Sequence, residues 1–128
     1  MSGIVKRLLI LDNDGDLLEI MEEVFVYEGY EVKALQGTDD IFNDIAAYKP
    51  HVIMLDYILD GVNGGEICHQ VKNSPLTCYL PVIIVSAYPK VINSLGYYGC
   101  DKFIPKPFDI YDLINQVNQL IIPDNKLV

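Results

Sequence analysis

Three short apolar runs in the chain each end in a residue that phosphoryl-transfer chemistry uses. Leu8 to Leu11 runs into Asp12, Val52 to Leu55 into Asp56, and Val82 to Val85 into Ser86. A fourth, Phe103-Ile104, is followed by Lys106 and Pro107. A carboxylate can attack phosphorus as a nucleophile, a lysine can hold a phosphate oxygen as a compact positive charge, and a hydroxyl can donate to another. Continuous apolar runs of this length read as strands buried on both faces, as in a parallel sheet. Ligands of open α/β sheets bind outside the carboxyl ends of the strands, so the four polar residues are expected to meet at one rim.

That rim gathers Asp12, Asn13 and Asp14 after the first strand, Asp56 after the third and Lys106 after the fifth. Several carboxylates in one place resist ionising together unless a cation joins them. Hard oxygen ligands with positions left for water and a phosphate oxygen suit Mg²⁺. One aspartate can then take a phosphoryl group as an acyl phosphate, with positioning and charge stabilisation carrying the catalysis. Taken singly, Asp14 and Asp16 read as residues of a helix start.

The elements that must position these groups alternate along the chain, with strands near 6–12, 30–35, 51–56, 81–86 and 101–104. Helices fall near 14–28, 38–47, 63–72, 89–97 and 108–121. This is the pattern of five βα units building a parallel sheet with helices on both faces. The first helix carries Leu17, Met21, Val24 and Phe25 at helical spacing, and Gly29 stands where a left-handed cap is wanted. The last shows Ile110, Leu113, Ile114, Val117, Leu120 and Ile121 on one face, with Asp109 and Asp112 near its start. The second opens after Thr38-Asp39-Asp40 and stops before Lys49-Pro50. The 89–97 helix has little periodicity, with Pro89, Gly96, Tyr97 and Tyr98 in or beside it, and is expected to be short or irregular. Residues 1–122 read as one domain and 123–128 as a tail or linker stump.

A chain of 128 residues that is 51% apolar can bury a core without disulfides. Eighteen acids against nine bases give a net charge of −9, which argues against direct nucleic-acid binding and against an anionic membrane surface. No apolar run approaches a membrane span and no secretory leader is visible, so a cytoplasmic location is expected. Cys68, Cys78 and Cys100 are odd in number and lack Cys-x-x-Cys spacing, so they read as buried reduced thiols. His51, at a strand entrance, and His69, on a helix, have no second ligand at helical spacing.

The stretches Leu9–Asp14, Ile53–Gly61, Ile84–Ala87 and Phe103–Phe108 resemble, in order and spacing, the motif blocks of response-regulator receiver domains. The resemblance covers nearly the whole chain. It implies a flavodoxin-like (βα)₅ fold, a single five-stranded parallel sheet in the order 2-1-3-4-5. It implies that Asp56 is the phosphoacceptor, taking its phosphoryl group from a phosphohistidine on a sensor histidine kinase or phosphotransfer protein. Asp12 and Asn13 correspond to the acidic pair at Mg²⁺, with Asp56 and the backbone carbonyl of Ile58 as further ligands. Ser86 corresponds to the switch hydroxyl, Phe103 to the switch aromatic, and Lys106 to the lysine that contacts the phosphoryl group. The family often has a cis peptide before such a proline as Pro107.

The chain departs from the family pattern at four places. Asn13 replaces an aspartate, which removes a charge and should weaken metal binding unless Asp14 turns inward. Asp60 stands where proline is usual, loosening the loop after Asp56 and adding an acid near the site. Ile58 and Tyr88 occupy positions that modulate dephosphorylation; their bulk should hinder the attacking water and slow decay of the phosphorylated form. The segment between Ser86 and Gly99 is short and holds Tyr97 and Tyr98, either as anchors for a partner or as cover for a core edge.

The expectation is a signalling module rather than an ordinary enzyme, performing only self-phosphoryl transfer and slow autodephosphorylation. Phosphorylation would shift the surface of the 89–97 helix and fifth strand toward a downstream protein target, and a homodimer through that surface and the last helix would be compatible with it. The alternative is a pseudo-receiver, a protein-interaction module with weak or no phosphorylation, favoured by Asn13 and Asp60. A flavin- or nucleotide-binding protein of this fold would need a Gly-rich loop after the first strand, where acids stand instead. No output domain follows within the sequence, so the chain is expected to act alone or to be a fragment of a larger regulator or hybrid kinase.

Overall fold

The apolar runs form strands whose alternate residues enter two different cores. A computed structural model of the chain describes residues 5–88, 90 and 98–121. Its strands are β1 (Lys6–Leu11), β2 (Tyr30–Leu35), β3 (Val52–Asp56), β4 (Val82–Ser86) and β5 (Lys102–Pro105), in one parallel sheet ordered β2-β1-β3-β4-β5. The helices are α1 (Gly15–Tyr27), α2 (Ile41–Tyr48), α3 (Gly64–Lys72) and the last helix, here α4 (Ile110–Leu120). Leu8, Ile10, Met54, Ile83 and Val85 pack with α1 and α4. Leu9, Leu11, Ile53, Leu55 and Ile84 pack with α2 and α3. Every residue of β3 and β4 is buried, which is why no alternation shows in their sequence.

Among the described residues the strand and helix expectations are met, with two local differences and a correction to the reading of the cysteines. In α1 the buried row is Leu18, Met21 and Phe25, while Leu17 and Val24 are half-buried at its edge. The apolar stripe is wider than the core contact, so spacing alone does not select between Leu17 and Leu18. α2 begins at Ile41 rather than near 38. Thr38 accepts from the Asp40 N–H and bonds Asp44 with its hydroxyl, holding 38–40 in a turn, and Asp40 caps the helix through the Phe42 N–H. Cys78 is exposed and Cys100 half-buried; only Cys68 is a fully buried thiol. The predicted 89–97 helix and the 123–128 tail lie outside the described residues, apart from Lys90.

Other features stand as read. Gly29 follows the α1 cap with a φ of 95° and donates to Val26 O. Asp109 caps α4 through the Tyr111 N–H. His51 Nδ1 accepts from the Arg7 N–H at the entrance to β3, and His69 bonds Asn73 at the end of α3. Among the described residues no helix is long and apolar enough to cross a membrane.

Tyr30 ties the β2 edge to the last helix. Its ring meets Phe25 edge-on at 5.3 Å, Lys6 Nζ lies 4.5 Å from its centre, and its hydroxyl donates to Asn118 Oδ1. Burial, and then the charge of Glu28, push this phenol from 10.0 up to about 12. The folded state therefore keeps a proton that the unfolded chain releases. The contribution is intact below the unfolded value and is lost as pH rises through the folded one. Urea midpoints at about pH 9 and about pH 11 should thus fall less in Tyr30→Phe than in the parent; equal falls would show that Tyr30 titrates alike in both states.

Candidate functional site

Asp12 follows β1, and its N–H donates to Leu35 O at 3.1 Å, continuing the pairing with β2. Asp56 ends β3, Ser86 ends β4, and Lys106 follows β5. Because the sheet is parallel, all four stand at its carboxyl edge. Asp12 is 2% exposed, Asp56 7% and Ser86 1%, burial normally reserved for partnered groups.

Lys106 supplies the partner. Its Nζ lies 3.0 Å from Asp12 Oδ2 and 3.4 Å from Asp56 Oδ1. The lysine is positioned by its own backbone, whose N–H donates to Ser86 O at 2.7 Å, and its peptide to Pro107 is cis. Asp12 Oδ1 accepts from the Asp14 N–H at 2.9 Å. Ser86 Oγ accepts from the Tyr88 N–H at 2.9 Å. Burial raises the Asp56 carboxyl above its ordinary range, the Asp12 charge raises it further, and Lys106 pulls it back.

One lysine facing two buried carboxylates leaves the group a net acceptor of positive charge. The oxygens of Asp12 and Asp56 beside the lysine fit a hard divalent cation, and Asn13, next to Asp12 in the chain, is exposed. Asp14 does not turn inward: its carboxylate caps α1, accepting from the Asp16 and Leu17 N–H groups at 3.1 and 3.2 Å. The charge missing at Asn13 is thus not restored by its neighbour. Asn13→Asp is expected to tighten Mg²⁺ binding, on the order of tenfold for one added carboxylate ligand, by titration calorimetry; an unchanged affinity would show that residue 13 does not reach the ion.

The loop from β3 to α3 closes tightly. Gly64 N–H donates to Tyr57 O at 2.7 Å, Ile58 pairs antiparallel with Asn63, and Asn63 caps α3 through the Glu66 N–H. A Cβ on Gly64 would lie 2.2 Å from the Asp56 carbonyl oxygen, so only glycine allows this approach. Sequence reasoning did not single out Gly64; its signal is the Asn63-Gly64-Gly65 cluster at the head of a helix.

The other expected residues are placed as follows. Ile58 and Tyr88 are exposed, consistent with positions at the rim. Phe103 is half-buried against the core on the α2 and α3 side. Asp60 lines an open depression of about 410 Å³ with Thr38, Asp39 and Asp40, and forms no ion pair with Lys106. Tyr98 is half-buried against the same core as Phe103, which favours cover for a core edge over an exposed anchor; Tyr97 lies outside the described residues.

Comparison with known proteins agrees with this geometry. Residues 8–118 match the family model described as the response regulator receiver domain. The phosphate regulon transcriptional regulatory protein PhoB of Pseudomonas aeruginosa is 28% identical over 118 residues, 91% of this chain and 52% of that protein. The response regulator ArlR of Staphylococcus aureus is 27% identical over 117 residues, 90% of this chain and 52% of its own. The chain therefore spans about half the length of these curated relatives. A response regulator receiver domain protein of Methanospirillum hungatei superposes with a TM-score of 0.79 at 25% identity, covering 91% of this chain and 93% of that one. Response regulator TrrA of Thermotoga maritima, solved with Mg²⁺ and BeF, shares the fold with a TM-score of 0.82 at 21% identity, covering 91% and 100%. With its sheet order, its buried acidic rim and a family match over most of its length, the chain belongs to the response-regulator receiver domains of two-component signalling.

Proposed function

We propose that this receiver is a phosphorylation switch whose phosphoacceptor is Asp56. The observation that carries the reading is the Asp12–Lys106–Asp56 arrangement, two buried carboxylates on one lysine at the carboxyl edge of the sheet. An Asp56 carboxylate oxygen attacks phosphorus of a phosphohistidine on a sensor histidine kinase or phosphotransfer protein. The P–O bond forms as the P–N bond breaks, and the imidazole leaves with its electron pair and takes a proton. Lys106 would follow the transferred oxygens, and the Ser86 hydroxyl would turn from the Tyr88 N–H toward them. Asp12, Asn13, Asp56 and the Ile58 carbonyl would hold Mg²⁺, which when bound neutralises the carboxylates and the incoming phosphoryl oxygens.

Charge on Asp56 would then bias Ser86 and Phe103 between two arrangements and alter the surface offered to a downstream protein target. The domain acts on itself, with no external substrate, so it is a cytoplasmic signalling module rather than an ordinary enzyme. The exposed bulk of Ile58 and Tyr88 screens the attacking water, and the phosphorylated form should outlast a minute.

The test is incubation with Mg²⁺ and a small phosphoryl donor, read by intact mass. One added phosphoryl group is expected, absent in Asp56→Asn. No label on a folded parent would favour an interaction module that has lost phosphorylation.

A further inference from the structure

Tyr98 is held in an uncommon state by contacts that lead back to Asp56. Its φ is 54°, in the left-handed region that a bulky residue occupies only when its surroundings hold it there. Its ring lies over Gly65 in the first turn of α3, where a Cβ would come within 2.6 to 2.8 Å of three ring carbons. Its hydroxyl stands 3.3 Å from that of Tyr57, with ring centres 6.2 Å apart, and its carbonyl accepts from Cys68 Sγ at 3.5 Å.

Tyr57 is the residue after Asp56, and its backbone is fixed on both sides. Its N–H donates to Val85 O at 2.8 Å, and its carbonyl accepts from the Gly64 N–H at 2.7 Å. Asp56 and Tyr57 share a peptide, so a displacement of the Asp56 backbone reaches the Tyr57 ring directly, against these two anchoring bonds. Beyond Tyr98 the chain turns at Gly99, with a φ of 81°, and Asp101 bonds Lys72 Nζ at 3.0 Å and the Val82 N–H at 2.7 Å just before β5 begins. A continuous set of contacts thus joins Asp56 to the entrance of the strand that carries Phe103 and leads to Lys106.

We infer that Tyr57 and Tyr98, the latter seated on Gly65, are positioning residues that transmit a change of charge at Asp56 to the turn at 98–101, by a route that does not run through the Ser86 hydroxyl. The inference rests on the phosphoacceptor reading for what changes the charge, but the link itself can be tested without it. Two perturbations of Asp56 are compared in ¹⁵N-labelled protein: loading with Mg²⁺ and a small phosphoryl donor, with uptake followed by intact mass, and the substitution Asp56→Asn.

In the parent, both should displace the amide resonances of Gly99, Cys100 and Asp101. Tyr57→Phe and Tyr98→Phe remove only a hydroxyl and should each reduce the displacement at least about threefold. Gly65→Ala, which pushes the ring from its seat, should do the same. Absence of uptake in the parent would defeat the phosphoacceptor reading, while the Asp56→Asn arm would still decide the link. Full-sized displacement in Tyr98→Phe, or none in the parent with Asp56→Asn, would overturn it.

Discussion

Gly64→Ala should destabilise the fold by roughly 3 kcal/mol and reduce phosphoryl uptake more than about tenfold. The added methyl would sit 2.2 Å from the Asp56 carbonyl oxygen and 3.0 Å from its carbon, both backbone atoms that cannot swing aside. The head of α3 must therefore retreat, breaking the Gly64 bond to Tyr57 O, or the end of β3 must move and take the phosphoacceptor with it. Gly37→Ala is the control, because a Cβ there meets nothing within 4 Å. Urea titration should show a large loss of midpoint for Gly64→Ala and little change for Gly37→Ala. Matching midpoints for the two variants would mean that the approach of α3 to Asp56 is looser than described.

The second large effect is expected at Lys106. In Lys106→Ala two buried carboxylates face each other with no cation, and the charge that would follow the transferred phosphoryl group is gone. Loss of one such preorganised group should slow labelling by on the order of a hundredfold or more. Its effect on stability has a definite sign with pH. The Asp56 carboxyl is already raised by burial and by Asp12, and without Lys106 it rises further. A carboxyl raised in the folded state favours folding at low pH, and that contribution is lost as pH rises through its folded value. In chelator, the variant should therefore fall furthest below the parent near neutrality and recover toward it as pH is lowered. A deficit independent of pH would point to lost packing of the lysine stem instead.

Much of this architecture was legible because it depends on local pattern. Runs such as Leu8–Leu11 and Val52–Leu55, apolar at every position, admit few placements other than central strands, and a parallel sheet brings their ends to one edge. Asp12, Asp56, Ser86 and Lys106 converge for that reason. Asp14 and Asp109 were readable as helix starts from chemistry confined to three residues.

What stayed hidden depends on distances between elements. The demand for glycine at 64 arises from the backbone of β3, eight residues earlier, and that at 65 from the Tyr98 ring, neither of which spacing reveals. The choice of Leu18 over Leu17 follows from how α1 lies on the sheet. The late start of α2 comes from a Thr38 hydroxyl contact that composition does not disclose. Exposure of Cys78 likewise reflects a loop path rather than its residue type.

The claim beneath all of this is that Asp56, and no other group at the rim, becomes the acyl phosphate. Borohydride reduces an acyl phosphate to an alcohol, converting the modified aspartate to homoserine, so peptide sequencing after labelling in Mg²⁺ locates it directly. Homoserine at position 56 is the predicted result. Homoserine at Asp12, or a phosphoryl group that resists borohydride and maps to a serine or histidine, would contradict it.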